Sequence, residues 1–246
     1  MTSGKWSRIQ IAGKPADIYE PGHPRPRFGL IHLHDQNLET LFGRESFSRF
    51  FDELGLACVC PVAGPCWWAA RICPAFDERT TPEQYVLREA LPYFDRSWGL
   101  EPPAVAIEGI GMGGQGALRI AFKHPNLFRV VASISGALDC HELYGRGTEL
   151  DRMYPSKEHC RQDTALMHIP PVDYPPHIFF CIDADDALWF RGNDRMHEKL
   201  SALGIAHQFD LSTRAGGHSW HYFDAVAEPV LRFIHTGLLQ ESRRLL

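Results

Sequence analysis

Apolar residues fall along this chain in two alternating rhythms. Short runs rich in branched and aromatic residues, "RIQIAG", "ADIYE", "FGLIHL", "LACVCP", "AVAIEG", "RVVASIS", "HIFFCI" and "HQFDLS", read as strands. Between them, residues 38–55, 82–98, 112–124, 190–203 and 220–238 carry apolar positions at helical spacing, and Pro125 stops the third of these helices. Strands alternating with helices predict an α/β fold built on a mostly parallel sheet of eight strands flanked by helices. The first two strands adjoin with no room for a helix, so they are expected as an antiparallel hairpin joined to that sheet. One long irregular segment remains, residues 137–176, rich in His, Tyr, Asp and Pro. A connection of that length inside a compact domain carries function or small helices of its own, and it is read as a small cap insertion over the site.

Length and composition narrow this picture. A chain of 246 residues, 44% apolar, is long enough for a sizeable core and is expected to form a single domain, residues 1–246. The formal charge of −5 comes from 25 basic and 30 acidic residues mixed along the chain. No basic run offers a footprint for a phosphate backbone, so nucleic acid is not an expected partner. Neither a membrane-crossing stretch nor the hydrophobic segment of a signal peptide is visible, and a cytoplasmic protein is expected. Homo-oligomerisation is left open. The seven cysteines form no C-x-x-C pair and read as small buried hydrophobes. No cofactor is called for.

The stretch "AVAIEGIGMGGQGALRIAF", residues 104–122, carries the chemistry. Read as Gly109-x-Gly111-x-x-Gly114 it matches a dinucleotide-binding loop, but that loop belongs after the first strand of its unit, with an acidic residue closing the next strand. Here the turn follows the fifth strand, and the sixth ends in serine and glycine. Read as G-x-S-x-G it is a nucleophile elbow, the sharp strand-to-helix turn of a hydrolase, with Gly111 standing where the serine belongs. The other triad members follow in hydrolase order: Asp186 in "DADDALW" and His218 in "AGGHSWHYF".

These motifs resemble the putative-esterase branch of the α/β-hydrolases, the group of esterase D, S-formylglutathione hydrolases and tributyrin and feruloyl esterases. The resemblance runs from about residue 28 to residue 235. It implies an α/β-hydrolase fold, an elbow in which Gly109, Met112, Gly113 and Gly114 match while Gly111 departs, an acid at Asp186 and a histidine at His218. The family's His-Gly-x turn, whose amides complete the oxyanion hole, here reads "LHDQN": His34 matches, Asp35 replaces the glycine, and Gln36 supplies an oxyanion amide beside that of Met112. A carboxylate at 35 opposes the charge an oxyanion pocket stabilises, unless it points away or binds something.

The implied function is a carboxylic ester hydrolase scaffold that keeps the acid and histidine and lacks the serine, with weak or altered hydrolysis of a small ester or acyl ligand. On this reading Gly111→Ser alone raises ester hydrolysis about a hundredfold or more, and Asp35→Gly adds about tenfold. Three rivals remain. A non-catalytic ligand-binding or sensor protein would keep the pocket. An engineered or inactivated variant would allow Cys66 to act as a substitute nucleophile. A metal-dependent hydrolase would use His32, His34 and Asp35, because histidines two apart on a strand face the same side. Trp67 and Trp68, in the loop after the fourth strand, are expected to line an acyl or aromatic pocket. Asp183 lies too early for the family's acid and reads with Asp185 as a solvated acidic turn, to which Arg191 is near enough to pair. His221 reads as a surface or packing residue.

Overall fold

The structure, a computed structural model, describes residues 3–22 and 25–244. Its eight strands are β1 (Lys5–Ile11), β2 (Lys14–Glu20), β3 (Phe28–Leu33), β4 (Leu56–Pro61), β5 (Val105–Ile110), β6 (Val130–Ile134), β7 (His177–Cys181) and β8 (Gln208–Asp210). They form one sheet in the order β1-β2-β4-β3-β5-β6-β7-β8. β1 and β2 make the expected antiparallel hairpin, β2 joins β4 antiparallel, and β3 through β8 run parallel. Every residue of β3, β4 and β5 is buried, which is why these strands read as near-continuous apolar runs rather than alternating ones, interrupted by His32 and Glu108, which pair with each other.

Five longer helices cover the sheet. They are α1 (Glu45–Leu54); α2, which runs Pro82–Tyr85, Val86–Ala90 as a π turn and Leu91–Trp98; α3 (Met112–Lys123); α4 (Phe190–Ala202); and α5 (Trp220–Arg244). Period-two geometry divides β3 between two cores. Ile31 and Leu33 pack with Phe94 of α2 and Leu118 of α3, while Phe28 and Leu30 pack with Phe51 of α1 and Val230 of α5. One helix begins later than its apolar spacing suggests: α1 opens at Glu45 rather than near residue 38. Residues 35–44 stay irregular because Leu38 takes φ +64°, and Thr40 donates to the buried Asp17, a side-chain bond that competes with helical geometry.

The long segment between β6 and β7 carries short helical pieces, among them Cys140–Leu143, Leu150–Met153 and Lys157–Gln162. Leu150, Met153, Tyr154 and Leu166 bury against the α2/α3 core. Gln115 of α3 accepts from the Ala165 amide at 2.9 Å, and Arg119 of α3 pairs with Asp163. From α4, Asn193 donates to the Gly136 carbonyl at 2.8 Å and Lys199 to that of Leu166. The insertion is thus anchored on α3 and α4. No helix among the described residues is long and apolar enough to cross a membrane.

Candidate active site

The site lies where the carboxyl ends of β3 and β5 meet the start of α3, and the glycines decide how closely they meet. A Cβ on Gly113 would fall 1.8 Å from the Leu33 carbonyl oxygen, so only glycine lets the end of β3 rest on the first turn of α3. Gly111 stands at the apex, before the first residue of α3, with φ +55° and ψ −114°. Its amide donates to Ile134 and its carbonyl accepts from Ala137, both at 2.9 Å, which fixes a conformation costly for residues with a side chain.

Opposite this apex is Asp35. Its Oδ1 accepts from the Met112 amide at 2.7 Å, at the positive end of α3, and the Gln36 amide also donates to the carboxylate. Its Oδ2 meets His218 Nε2 at 2.8 Å. A Cβ added to Gly111 would lie 2.2 Å from Asp35 Oδ1, 2.3 Å from its Cγ and 2.7 Å from its Oδ2. The carboxylate therefore stands in the space that a side chain at 111 would need, on both backbone amides expected to face an oxyanion. It does not point away. This corrects the expectation for Gly111→Ser alone: the hydroxymethyl group has no room until Asp35 moves.

Three contacts hold Asp35 there. His34 donates from Nδ1 to the Asp35 carbonyl at 2.7 Å and accepts at Nε2 from the Ala63 amide at 3.0 Å. These partners fix its neutral tautomer, and burial brings its pKa down to about 4. Trp68, from the same loop as Ala63, donates from Nε1 to the His34 carbonyl at 3.1 Å.

On the far side, His218 sits in a loop that two glycines at positive φ, Gly216 (+89°) and Gly217 (+69°), allow to turn into α5. Asp186 Oδ2 meets His218 Nδ1 at 3.0 Å, while Asp186 Oδ1 accepts from the amides of Leu188 and Trp189, both at 3.1 Å. The ring packs edge-on against Phe223 at 5.1 Å. Burial lowers the imidazole's pKa, but hydrogen bonds and charge from Asp186 and Asp35 outweigh it and raise the pKa to about 9. Asp35 is held below the ordinary carboxylate range: burial opposes ionisation, and His218 and the two amides overcome it. At neutral pH the Asp35 carboxylate therefore faces an imidazolium, whose other nitrogen is on Asp186 Oδ2.

Several expected roles change in this geometry. Cys66 is fully buried and burial pushes its thiol pKa well up, so it is a packing residue rather than an activated nucleophile. All seven cysteines are free and buried. Trp67 and Trp68 do not form an open acyl wall: both are buried, with Trp67 donating its amide to Met112 Sδ and Trp68 packing where Gly116 has no side chain. The triad His32, His34 and Asp35 does not converge on a metal position. His32 Nδ1 bonds to Glu108 Oε2 at 2.8 Å, inside the core, and both His34 nitrogens are engaged as described. No group of three or more potential metal ligands occurs among the described residues. Arg191 does not meet the acidic turn; Arg214 pairs with Asp185. His221 is exposed.

Asp183 has a role its sequence does not announce. Fully buried, it accepts from the amides of Asp185 (2.7 Å), Ala215 and Gly217 (2.9 Å), tying the histidine loop to the end of β7. Its signal is indirect: an aspartate directly after a strand often caps the loop there, and only the fold reveals which loop. Beside the centre, the segment after Asp35 forms an open depression of about 320 Å³ lined by Arg8, Leu38, Glu39, Thr40, Phe42 and Arg44. Arg44 lies over the Trp220 ring at 3.6 Å, joining this rim to the histidine loop.

The sheet order, the glycine turn after β5 and the Asp186–His218 pair define an α/β-hydrolase. Comparison with protein families matches residues 65–229, more than half of the chain, to the family described as "Putative esterase", and the chain belongs to that family. No curated protein matches it. Solved structures share its fold at low identity. An S-formylglutathione hydrolase from Agrobacterium tumefaciens superimposes with a TM-score of 0.78 at 15% identity, covering 97% of each chain. A ferulic acid esterase gives 0.74 at 18% identity, covering 95% of this chain and 99% of that one. The S-formylglutathione hydrolase FrmB from Staphylococcus aureus gives 0.69 at 16% identity, covering 95% of this chain and all of its own.

Proposed function

We propose that this chain is an esterase-family hydrolase whose serine acyl-transfer route is closed and whose reaction centre is altered, with weak turnover of ordinary esters. The observation that carries this reading is Asp35: its carboxylate meets the Met112 amide at 2.7 Å and His218 Nε2 at 2.8 Å, with no space left at Gly111. A serine enzyme needs a hydroxyl at that apex, a neutral imidazole to take its proton and empty amides to receive the oxyanion. Here the hydroxyl is missing, the imidazole is charged at neutral pH and the amides are occupied. Ligands suited to the scaffold are small ester or acyl compounds, entering beside His218, whose side chain is 27% exposed.

A second reading, a ligand-binding protein on a hydrolase scaffold, draws on the same charge pattern, because an aspartate–imidazolium–aspartate line is satisfied without a substrate. Hydrolysis of p-nitrophenyl acetate and butyrate, with and without a chelator, tests the first reading. Expected are slow, chelator-insensitive turnover without an acyl burst, and a large gain when Gly111→Ser and Asp35→Gly are combined. No hydrolysis by the wild type or by the double variant, together with ligand binding that His218→Ala weakens, establishes the second.

A further inference from the structure

We propose that Glu39, with Arg44, is a positioning pair for His218: it grips Trp220 and so holds the far end of the histidine loop in register with Asp35. The inference rests on the reading above that His218 is the group that handles substrate.

The histidine loop has little of its own to fix it. Gly216 and Gly217 both take positive φ, and residues 215–219 belong to no strand or helix. Its entry is tied to the end of β7 by Asp183, which accepts from the amides of Ala215 and Gly217. Its exit is held from the opposite side of the site. Trp220, the first residue of α5, donates from Nε1 to Glu39 Oε2, and Arg44 lies over its ring at 3.6 Å. Ser46, in the first turn of α1, donates to Asp224 of α5. Glu39 is itself set in place: Asn37 Nδ2 donates to the same Oε2 at 3.1 Å, Asn37 Oδ1 accepts the Glu39 amide at 3.2 Å, and Arg44 Nη2 stands 3.6 Å away. The next residue, Thr40, is anchored on the buried Asp17. Little side-chain freedom is then left to lose when the carboxylate takes the indole N–H.

The grip reaches the imidazole through packing. Trp220 meets Phe223 at 5.4 Å between ring centroids, and Phe223 meets His218 edge-on at 5.1 Å. The segment that carries Glu39 also carries Asp35, whose Oδ2 meets His218 Nε2 at 2.8 Å. The Leu38 amide donates to the Asp35 carbonyl at 3.0 Å, so Asp35 and Glu39 belong to one small turn. One stretch of chain thus sets both the carboxylate and the ring that it faces. A displaced Trp220 shifts Phe223 and turns the imidazole off the Asp35 direction, and a hydrogen bond weakens steeply with that angle. Glu39 and Arg44 touch no substrate in this role; they act through Trp220.

NMR titration of the His218 ring in wild type, Glu39→Gln, Glu39→Ala and Trp220→Phe tests this. The charged and titratable groups around the ring are Asp35 and Asp186 at its two nitrogens, the Asp185–Arg214 pair on the loop, His221 of α5, and Glu39 with Arg44. Glu39→Gln and Glu39→Ala remove the same charge, but only glutamine keeps an acceptor for the indole. Trp220→Phe keeps an aromatic ring and loses the N–H. The wild-type ring should titrate near pH 9, Glu39→Gln within about 0.3 unit of it, and Glu39→Ala and Trp220→Phe at least about 0.5 unit lower. Amide hydrogen exchange over residues 215–220 should quicken about tenfold in those last two variants and not in Glu39→Gln. Equal titration of Glu39→Ala and Glu39→Gln means that Glu39 acts by charge alone or not at all, and overturns the proposal. The two readings fail separately. If Gly111→Ser with Asp35→Gly stays inert towards esters while the titration difference holds, the ester reading fails and the positioning role stands. If that double variant hydrolyses esters while Glu39→Ala and Glu39→Gln titrate alike, the positioning role fails instead.

Discussion

The two halves of the candidate site are built to the same standard and differ in what they hold. On the histidine side, Asp186 and Asp183 together accept five backbone amides, from Leu188, Trp189, Asp185, Ala215 and Gly217, and Asp186 orients His218 as an esterase requires. On the nucleophile side, the glycine turn and the His34 prop are equally well fixed, yet they present a carboxylate in place of a hydroxyl and an empty pocket. Decay after loss of function would leave unpaired donors and loose loops at the changed positions. Instead Asp35 satisfies the Met112 amide and His218 at once, so the altered half is a completed arrangement in which Gly111 and Asp35 fit only together: a side chain at 111 excludes the carboxylate, and the carboxylate fills the space left at 111.

The largest effect should come from rebuilding one half in the image of the other. Gly111→Ser alone should stay within a few-fold of wild type in p-nitrophenyl butyrate hydrolysis, whereas Gly111→Ser with Asp35→Gly should exceed it by about 10² or more, the scale on which a restored nucleophile and freed amides act. A single variant that equals the double one shows that Asp35 swings away freely and that the two positions are not interdependent. With the double variant in hand, adding Asp186→Asn should remove about tenfold to a hundredfold of that gain, as expected when a histidine loses the partner that sets its tautomer. An unchanged rate would mean that the histidine side contributes nothing.

Charge coupling between the halves is read more directly by titration. In wild type the His218 ring should titrate near pH 9, and Asp35→Asn should lower that value by at least about one unit while Asp186 remains. NMR of the ring nuclei distinguishes this from an uncoupled histidine near its ordinary 6.5. The raised value makes the His218 contribution to stability complete below about pH 6.5 and lost as pH rises through about 9. Asp35, with a lowered value, contributes above its ordinary 3.8 and loses that contribution as pH falls through its folded-state value. The difference in Tm between wild type and Asp35→Asn should therefore be widest between about pH 4 and 6.5 and shrink towards both sides; a pH-independent difference would rule out the coupling.

A smaller effect is expected where structure rather than charge is lost. Asp183→Asn should cost about 1–3 kcal/mol in denaturant unfolding, the range for leaving buried donors poorly paired, and should loosen the histidine loop in hydrogen exchange. The smallest should be at Cys66. The native protein should label there with iodoacetamide no faster than its unfolding allows, and Cys66→Ser should leave ester hydrolysis unchanged; fast labelling at neutral pH would restore the thiol as a candidate.

How much of this was legible in the chain depends on the range of the interaction. Strand and helix positions are largely legible, because each is set by a local rhythm of apolar residues; the start of α1 fails where Thr40 reaches back to Asp17 of β2, and α5 runs past residue 238 to Arg244. Asp186 and His218, which the fold brings to 3.0 Å, are legible as candidates because each carries its own short context, an aspartate just past a strand and a histidine after two glycines. Trp67, Trp68 and Cys66 read as site residues in the sequence because it places their loop at the right rim without telling whether side chains turn to solvent or into the core.

The sequence by itself determined an α/β fold on a mostly parallel sheet of eight strands, the glycine turn, and the fact that position 111 lacks a hydroxyl while position 35 carries a carboxylate. Only the tertiary structure decided what those two departures mean together. Residues 35 and 111 follow the carboxyl ends of two different strands, β3 and β5, and their contact depends on the register of those strands, which sets Leu33 beside Gly109, and on glycine at 113 letting one backbone rest on another. A separation of that length along the chain leaves no periodicity or spacing to read. Whether a carboxylate points away, binds a metal or fills a missing side chain's place is fixed by distances of a few ångströms that the folded sheet alone creates.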